Sequence, residues 1–490
     1  MTHSFSQPEL FQPWNNACEH WLLNQATDLE QFFPADEELQ ENRDEEKRIA
    51  DVALNGFIST AAIFGAIDIG LFESLESSPS QLDSLAQQLN VPTSHLNRLL
   101  LILQRLELVT LKSEKWRLQA PARRFFTPTA PTFEPYLWSR LAMTRQFLQN
   151  YATEWGDIMR GKRQFDELQW PPRNEQETRD FEHIMTAEAP YIAARLKPVI
   201  QEKPIKRLLD VAGGNGTIAA LLAHQQSDLQ VDVLNWPHVA PLITETAEKF
   251  HLTERVRPLP ADFVDDYFPT DYDAVLFSRV LFNWPDEVVI KLLSKACHAL
   301  KSEGRIMICE RMKGPAEGVS RTWLTFMATS VNAQVFGRTP LRWIDLLDQA
   351  GFYNPRLEGD DSFEGYGVIQ AFASPELNEA EQLRPSKKVY QNGDTVQVTV
   401  PPSPEGQTQY LGLRMPNRQT FILDQFNTLR PFDGVRLPAW KGGDVAMEQV
   451  ILPNIPRGKY LLYYLYAPED VKPMLAFEQW TLNVSMFRVN

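Results

Sequence analysis

A chain of 490 residues is too long for one compact domain, and its 43% hydrophobic and 23% charged residues are ordinary globular composition. Roughly two to four domains are expected at that length. With 63 acidic against 48 basic side chains the net charge is −15, which excludes nucleic-acid backbone binding as the main task and serves solubility. Three cysteines, Cys18, Cys297 and Cys309, have neither metal nor redox spacing, so a reducing compartment fits and no metal site is expected. The N-terminus lacks a basic-then-apolar leader and no apolar run reaches membrane-spanning length. The expectation is a cytoplasmic protein with neither a membrane nor a nucleic-acid partner.

Residues 1–48 form an acidic extension with scattered aromatics (Phe5, Phe11, Trp14, Trp21), to which no chemistry is assigned. Over 49–128 the pattern is helical. Ala53, Phe57, Ala61, Phe64 and Ile67 recur at three- and four-residue spacing. Ser80 to Asp83 and Pro92-Thr93-Ser94 mark two helix starts. Leu106–Leu111 and Trp116–Gln119 then read as a short hairpin. Helix, turn, helix and β wing describe a winged-helix module. A DNA reader needs a basic recognition helix, and this one offers only Arg98 and Arg105. Residues 130–200 are helical and aromatic-rich. Most of those aromatics belong to core, but Trp155, Phe181 and Met185 are candidates for the wall of a large apolar pocket.

Residues 205–217 organise the chain. Ile205 to Val211 is a short apolar run carrying Asp210; Gly213, Gly214 and Gly216 follow, and a helix-forming stretch begins at Thr217. Strand, glycine turn, helix is the opening of a nucleotide-binding α/β unit, in which glycines let the backbone approach a ligand closely. The helix N-terminus points free N–H groups into the same crevice. No lysine follows Gly216, so this is not a Walker loop, and the third glycine of a dinucleotide fingerprint is missing. Further strands are expected at 229–235, before Ala261-Asp262-Phe263, at 273–278, at 304–310 and at 364–372. Their alternation with helices predicts a doubly wound, Rossmann-like parallel sheet with one antiparallel edge.

Asp210-Val-Ala-Gly-Gly-Asn-Gly216 resembles motif I of S-adenosylmethionine-dependent methyltransferases. Asn235-Trp-Pro-His-Val, Ala261-Asp-Phe, Leu281-Phe-Asn-Trp-Pro-Asp-Glu and Ala350-Gly-Phe follow in the order of one family. Over roughly residues 50–373 the chain resembles the small-molecule O-methyltransferases of the caffeate and hydroxyindole type. The resemblance implies a homodimer joined through the N-terminal module (49–128), a methyltransferase domain (129–375), S-adenosylmethionine as cofactor and a small-molecule substrate. It places the cofactor on Asp210, Gly213, Gly214, Gly216, Asn235, Asp262, Phe263, Arg279 and Trp284, with the adenine amine at Asp262, its ring on Phe263 and the methionyl end near Arg279. Asn235 stands where a carboxylate usually holds both ribose hydroxyls; it can accept but lacks the charge. Phe282, Asn283, Met327 and Asn332 complete the implied substrate pocket.

The departure lies at 281–287. The family usually reads L-H-D-W-x-D-[ED] there, its histidine taking the proton of the substrate hydroxyl; this chain reads L-F-N-W-P-D-E. Phe282 cannot accept a proton, and general-base help is commonly worth roughly 10²–10⁴-fold. Four readings stay open. The acceptor needs no base; His183 or Glu310 serves instead; the scaffold binds S-adenosylmethionine but catalyses a non-methylating reaction; or the fold is a non-catalytic binding module. Methyl transfer to a small aromatic or polyketide-like metabolite is the leading one.

Beyond Ser374 the composition changes. Residues 382–490 hold at least six strand candidates, among them Gly458-Lys-Tyr-Leu-Leu-Tyr-Tyr-Leu-Tyr466, with Pro and Gly turns between them. An immunoglobulin-like β-sandwich serving as an interaction or assembly module is expected.

Overall fold

The computed structural model describes residues 45, 47–134, 137–138, 141, 144–145, 148, 156–157, 160–162, 173–186, 188–312, 338–359, 365–374, 383–402, 404–426, 428–434, 437–440, 445–450, 454–470 and 479–490, excepting the side chains of 54, 180, 183, 184 and 445–450. It comprises two compact units, Met1–Arg145 and Gln146–Asn490.

The first unit runs α1 (Gly56–Asp68), α2 (Leu71–Ser77), α3 (Leu82–Leu89), α4 (Thr93–Arg105), β1 (Val109–Lys112), β2 (Lys115–Leu118) and α5 (Ala120–Phe126). Both expected helix starts are found, at Leu82 and Thr93. The hairpin turns through Ser113 (φ 52°) and Glu114 (φ 60°), the positive-φ pair that matches a two-residue loop to the twist of its strands. On α4, Leu96, Leu100 and Leu103 form an i, i+4, i+7 stripe, packed with Phe72, Leu85 and Trp116. The expected stripe on the first helix is not the buried face. Of its members Ile67 packs against this core while Ala53, Phe57 (63%) and Ala61 are exposed, and the core residues are instead Ala62 and Ala66. Among the described residues no single helix is long and apolar enough to cross a membrane.

The second unit is built on a 13-stranded sheet. Its parallel part is β3 (Arg207–Val211), β4 (Gln230–Asn235), β5 (Val256–Pro260), β6 (Tyr272–Ser278) and β7 (Leu300–Arg311), in the order β7-β6-β3-β4-β5. Helices α6 (Glu175–Thr186), α7 (Ala189–Glu202), α8 (Thr217–Gln225), α9 (Ala240–Lys249), α10 (Asp286–Ala299) and α11 (Pro340–Gln349) accompany it. Strands buried on both faces read as near-continuous apolar runs, as in Val275-Leu276-Phe277 and Ile306-Met307-Ile308. Leu209 and Val211 enter the core on one face, Leu208 that on the other.

The antiparallel margin is wider than the single edge expected. β9 (Tyr366–Phe372) pairs with β7, and β8 (Tyr353–Glu358) pairs with β9. The sheet then continues through β18 (Thr481–Val489), whose Thr481–Asn483 pair with Glu358–Arg356, to β17 (Gly458–Pro468), β13 (Gln407–Arg414), β14 (Thr420–Leu423) and β15 (Leu429–Pro431). While β11 (Val389–Tyr390) pairs in parallel with β18, a separate three-stranded sheet holds β10 (Arg384–Pro385), β12 (Thr395–Thr399) and β16 (Val445–Val450). It covers one face of the extension, where Val396 and Val398 share a core with Leu411, Tyr460, Leu462, Tyr464 and Phe487. The opposite face, with Leu461, Tyr463, Leu465, Leu482 and Val484, joins the core beneath α10 and α11. Arg414 clamps Asp345 of α11 at 2.6 Å, and Lys459 pairs with Asp348. The C-terminal strands are thus built into the sheet that carries the glycine turn.

Candidate cofactor and acceptor site

The C-terminal ends of β3, β4, β5 and β6 lie side by side along one edge of the sheet, where a doubly wound sheet usually binds its ligand. After β3 the chain enters left-handed backbone at Ala212 (φ 54°), Gly214 (φ 57°) and Gly216 (φ 79°). A Cβ on Gly213 would collide with the Asp210 carboxylate, which folds back beneath the turn. Asn215 fastens the turn on both sides. Its Oδ1 accepts from the Thr217 N–H (3.1 Å) at the start of α8, and its Nδ2 donates to Thr186 Oγ1 (2.9 Å) at the end of α6.

Asp210 is fully buried and neither oxygen has a hydrogen-bond partner. Burial pushes its carboxyl up to about 7; the Arg279 guanidinium pulls the other way and Glu182 adds to the rise. Asn235, at the end of β4, accepts the Trp236 N–H (2.9 Å) and donates to the Gly214 carbonyl (3.4 Å). An ionised carboxylate could accept but not donate, so the amide adds a bond to the glycine turn. Asp262 Oδ1 accepts the Val264 N–H at 2.8 Å and that of Asp265 at 3.3 Å. Phe263 is buried against Trp236 (4.8 Å between centroids) and edge-on to Trp284 (6.1 Å). Trp284 Nε1 is buried without a partner.

Arg279 ends β6 in left-handed backbone, φ 59°. Its Nη1 donates to the Met185 carbonyl (3.0 Å) and to Glu188 Oε2 (3.2 Å), while Nε has no partner. Glu188 also accepts from Tyr366 Oη at 2.7 Å and lies 3.7 Å from Arg311. Phe181 and Met185, proposed wall residues, are half-buried on α6.

The turn at Leu281–Asn283 presents Phe282 and Asn283, both half-buried. Glu310 lies beneath it, fully buried, with Oε1 accepting the N–H groups of Val280 (2.9 Å) and Leu281 (2.7 Å). Burial lifts its carboxyl to about 7, against those same amide bonds. Oε1 thus braces the turn, while Oε2 is buried without a partner. From the other side Arg338, also buried, donates to the carbonyls of Leu281 (3.0 Å) and Trp284 (2.6 Å) and to Asp286 (2.7 Å). His183 belongs to α6, but its side chain lies outside the described residues, as do Trp155, Met327 and Asn332. Sequence reasoning missed Glu182, Glu188, Trp236 and Arg338. Trp236 alone had a local signal, its place beside Asn235 at a strand end.

A model described as the O-methyltransferase domain matches residues 155–353, and one described as the O-methyltransferase dimerisation domain matches 52–130. The chain is similar to bacteriochlorophyllide d C-20 methyltransferase of Chlorobaculum tepidum, 25% identical over 311 residues that span 62% of this chain and 91% of that one. It is similar also to 3-hydroxy-5-methyl-1-naphthoate 3-O-methyltransferase of Streptomyces sahachiroi, 26% identical, spanning 62% and 88%. In fold it resembles the apo form of the S-adenosylmethionine-dependent methyltransferase SibL, with a TM-score of 0.56 and 22% identity over 66% of this chain and 98% of that one. Both domains of one family are present in their order, and the chain belongs to the small-molecule O-methyltransferases, enzymes whose cofactor is S-adenosylmethionine.

Proposed function

We propose that this enzyme methylates a small aromatic or polyketide-like metabolite at an atom that needs no general base. The residues along this edge of the sheet fit the cofactor. The glycine turn closes tightly over the Asp210 and Glu182 carboxylates, the orphaned Asp210 suits a cationic ligand, and Trp236, backed by the buried Phe263, offers a ring face near Asp262. S-Adenosylmethionine supplies an electrophilic methyl group on a sulfonium. The chain's own part is to orient the two reactants and exclude water.

The observation that carries the base-free reading is the turn at 281–284. Phe282 stands at the family's histidine position, and Glu310, the alternative nearby, spends Oε1 on two backbone amides. An aromatic carbon activated by a neighbouring hydroxyl, or a phenol acidic enough to ionise unaided, meets that requirement. One related protein is named for methylation at C-20 of bacteriochlorophyllide d.

The same reading gives a homodimer, with the exposed Val52, Phe57 and Ile58 of the dimerisation domain as part of its interface. Five helices and a hairpin among the described residues of 49–128 support the winged-helix assignment, without the basic helix of a DNA reader. Two sheets packed over a shared core support a sandwich for 382–490. A reducing cytosol suits the free Cys297 and Cys309.

The test is to incubate the purified protein with methyl-labelled S-adenosylmethionine and a panel of phenols, naphthols and activated ring carbons. Label in product with S-adenosylhomocysteine formed supports methyl transfer. Tight cofactor binding without S-adenosylhomocysteine from any acceptor would overturn it in favour of a non-methylating reaction on the same scaffold. Phe282→His is expected to raise turnover of weakly acidic phenols by roughly 10²-fold or more.

A further inference from the structure

Helix α6 brings a second carboxylate to the glycine turn. Glu182 is 8% exposed, and its two oxygens crowd Gly214 so closely that a Cβ there would lie 2.6 Å from each. Its one backbone partner is the Asn215 amide. Asp210 abuts the neighbouring Gly213, and both of its oxygens are buried without a partner. The two groups sense each other, since Glu182 raises the Asp210 carboxyl, and both sense Arg279.

The wider cluster holds three carboxylates, Glu182, Glu188 and Asp210, against two guanidinium groups, Arg279 and Arg311. Glu188 and the Met185 carbonyl occupy Arg279 Nη1, so the pair at the turn meets that guanidinium only through space, and burial raises both carboxyls. Buried carboxylates without a counter-charge are costly, and the cost is relieved when a cation enters. The pair also lies on the correct side. In the sheet order β6-β3-β4-β5, the expected adenine and ribose contacts, Asp262 and Asn235, follow β5 and β4. Asp210 lies on β3 and Arg279 follows β6, toward the other side of that sheet edge, where a free amino acid's ammonium and carboxylate need opposite charges side by side.

We propose that Glu182 joins Asp210 across the glycine turn to receive the α-ammonium group of the cofactor's amino-acid end, leaving the Arg279 Nε–H for its carboxylate. Gly214 is then required as much for the approach of Glu182 as for its backbone angle. This inference rests on the cofactor reading above, and its test separates the two.

The probes are S-adenosylhomocysteine and its deamino analogue, which lacks only the α-amino group, titrated calorimetrically into the wild type, Glu182→Gln and Glu182→Asp. The wild type should prefer S-adenosylhomocysteine over the deamino analogue. Glu182→Gln should weaken S-adenosylhomocysteine by roughly 10- to 100-fold, the worth of a charge-assisted hydrogen bond, and leave the analogue nearly unchanged. Glu182→Asp should recover part of the preference. Equal losses for both probes would show a structural role for Glu182 and overturn the proposal, as would a wild type indifferent to the amino group. A wild type that binds neither probe would instead remove the cofactor reading itself. Melting temperatures of the variants report whether the fold is intact.

Discussion

Asp210 titrates at about 7 because burial disfavours its charge, with Glu182 adding to the rise and Arg279 opposing it. A cationic ligand binds the ionised form. The sign follows: below pH 7 the carboxyl must lose its proton before the ligand enters, so affinity should rise with pH between 6 and 8, by up to about tenfold per unit at the acid end. Binding of S-adenosylmethionine measured at several pH values checks this, and Asp210→Asn should be weak at all of them. Gly213→Ala should abolish cofactor binding, since its methyl and the Asp210 carboxylate require the same space. The glycine turn was legible because it is local, a strand, three glycines and a helix within thirteen residues. Glu182 was not, for it lies some thirty positions upstream, and no short pattern tells which glutamate of an acidic helix will face a turn made elsewhere.

At the scale of elements, the Leu281–Trp284 turn is held from both sides. Glu310 takes its amides and Arg338 its carbonyls, with Asp286 pairing to Arg338 and Arg342. Burial pulls the Asp286 carboxyl up, but the bonds from Arg342 and Arg338 win and hold it below its usual range. Arg338→Ala would leave the Leu281 and Trp284 carbonyls without their donor and Asp286 with Arg342 alone. A loss of about 3–5 kcal/mol is expected, read as a shifted denaturation midpoint, together with lower kcat as Phe282 and Asn283 lose their fixed setting. Arg338→Lys should restore only part, because a point charge cannot serve three acceptors in a fixed fork. A carboxylate at the end of the fifth strand was readable from sequence, but its task was not. A base and a turn anchor need the same residue at the same strand end, and the amide partners of Glu310 leave no trace in the sequence. The run Tyr460-Leu-Leu-Tyr-Tyr-Leu-Tyr466 is instructive in another way. Read as alternating strand residues, it implies one buried face; apolar at every position, it marks a strand covered on both.

For the whole molecule, the parallel sheet and the N-terminal helices follow from periodicity and motif order, whereas the joining of the C-terminal strands to β8 does not. Edge pairing leaves no local signature, because any strand offers the same amides and carbonyls. The join has a measurable price. A chain ending at Ser374 would uncover the β8 edge, strip Tyr463, Leu465, Leu482 and Val484 from the core under α10 and α11, and free Asp345 and Asp348 from their partners. That truncation is expected to aggregate or to be digested rapidly by protease. A soluble, cofactor-binding fragment would show that the C-terminal strands are a detachable module.

The pairing of β18 with β8 also orders events in time. The strands of the methyltransferase domain emerge from the ribosome first, and β8 then waits, one edge open, while the whole C-terminal region is synthesised. The nascent chain carries an unsatisfied strand edge and a half-covered apolar face through that interval, the kind of surface that recruits chaperones or misassembles. Slow translation across residues 383–490 should therefore lower the yield of active enzyme more than slow translation before β3, which leaves no such edge exposed.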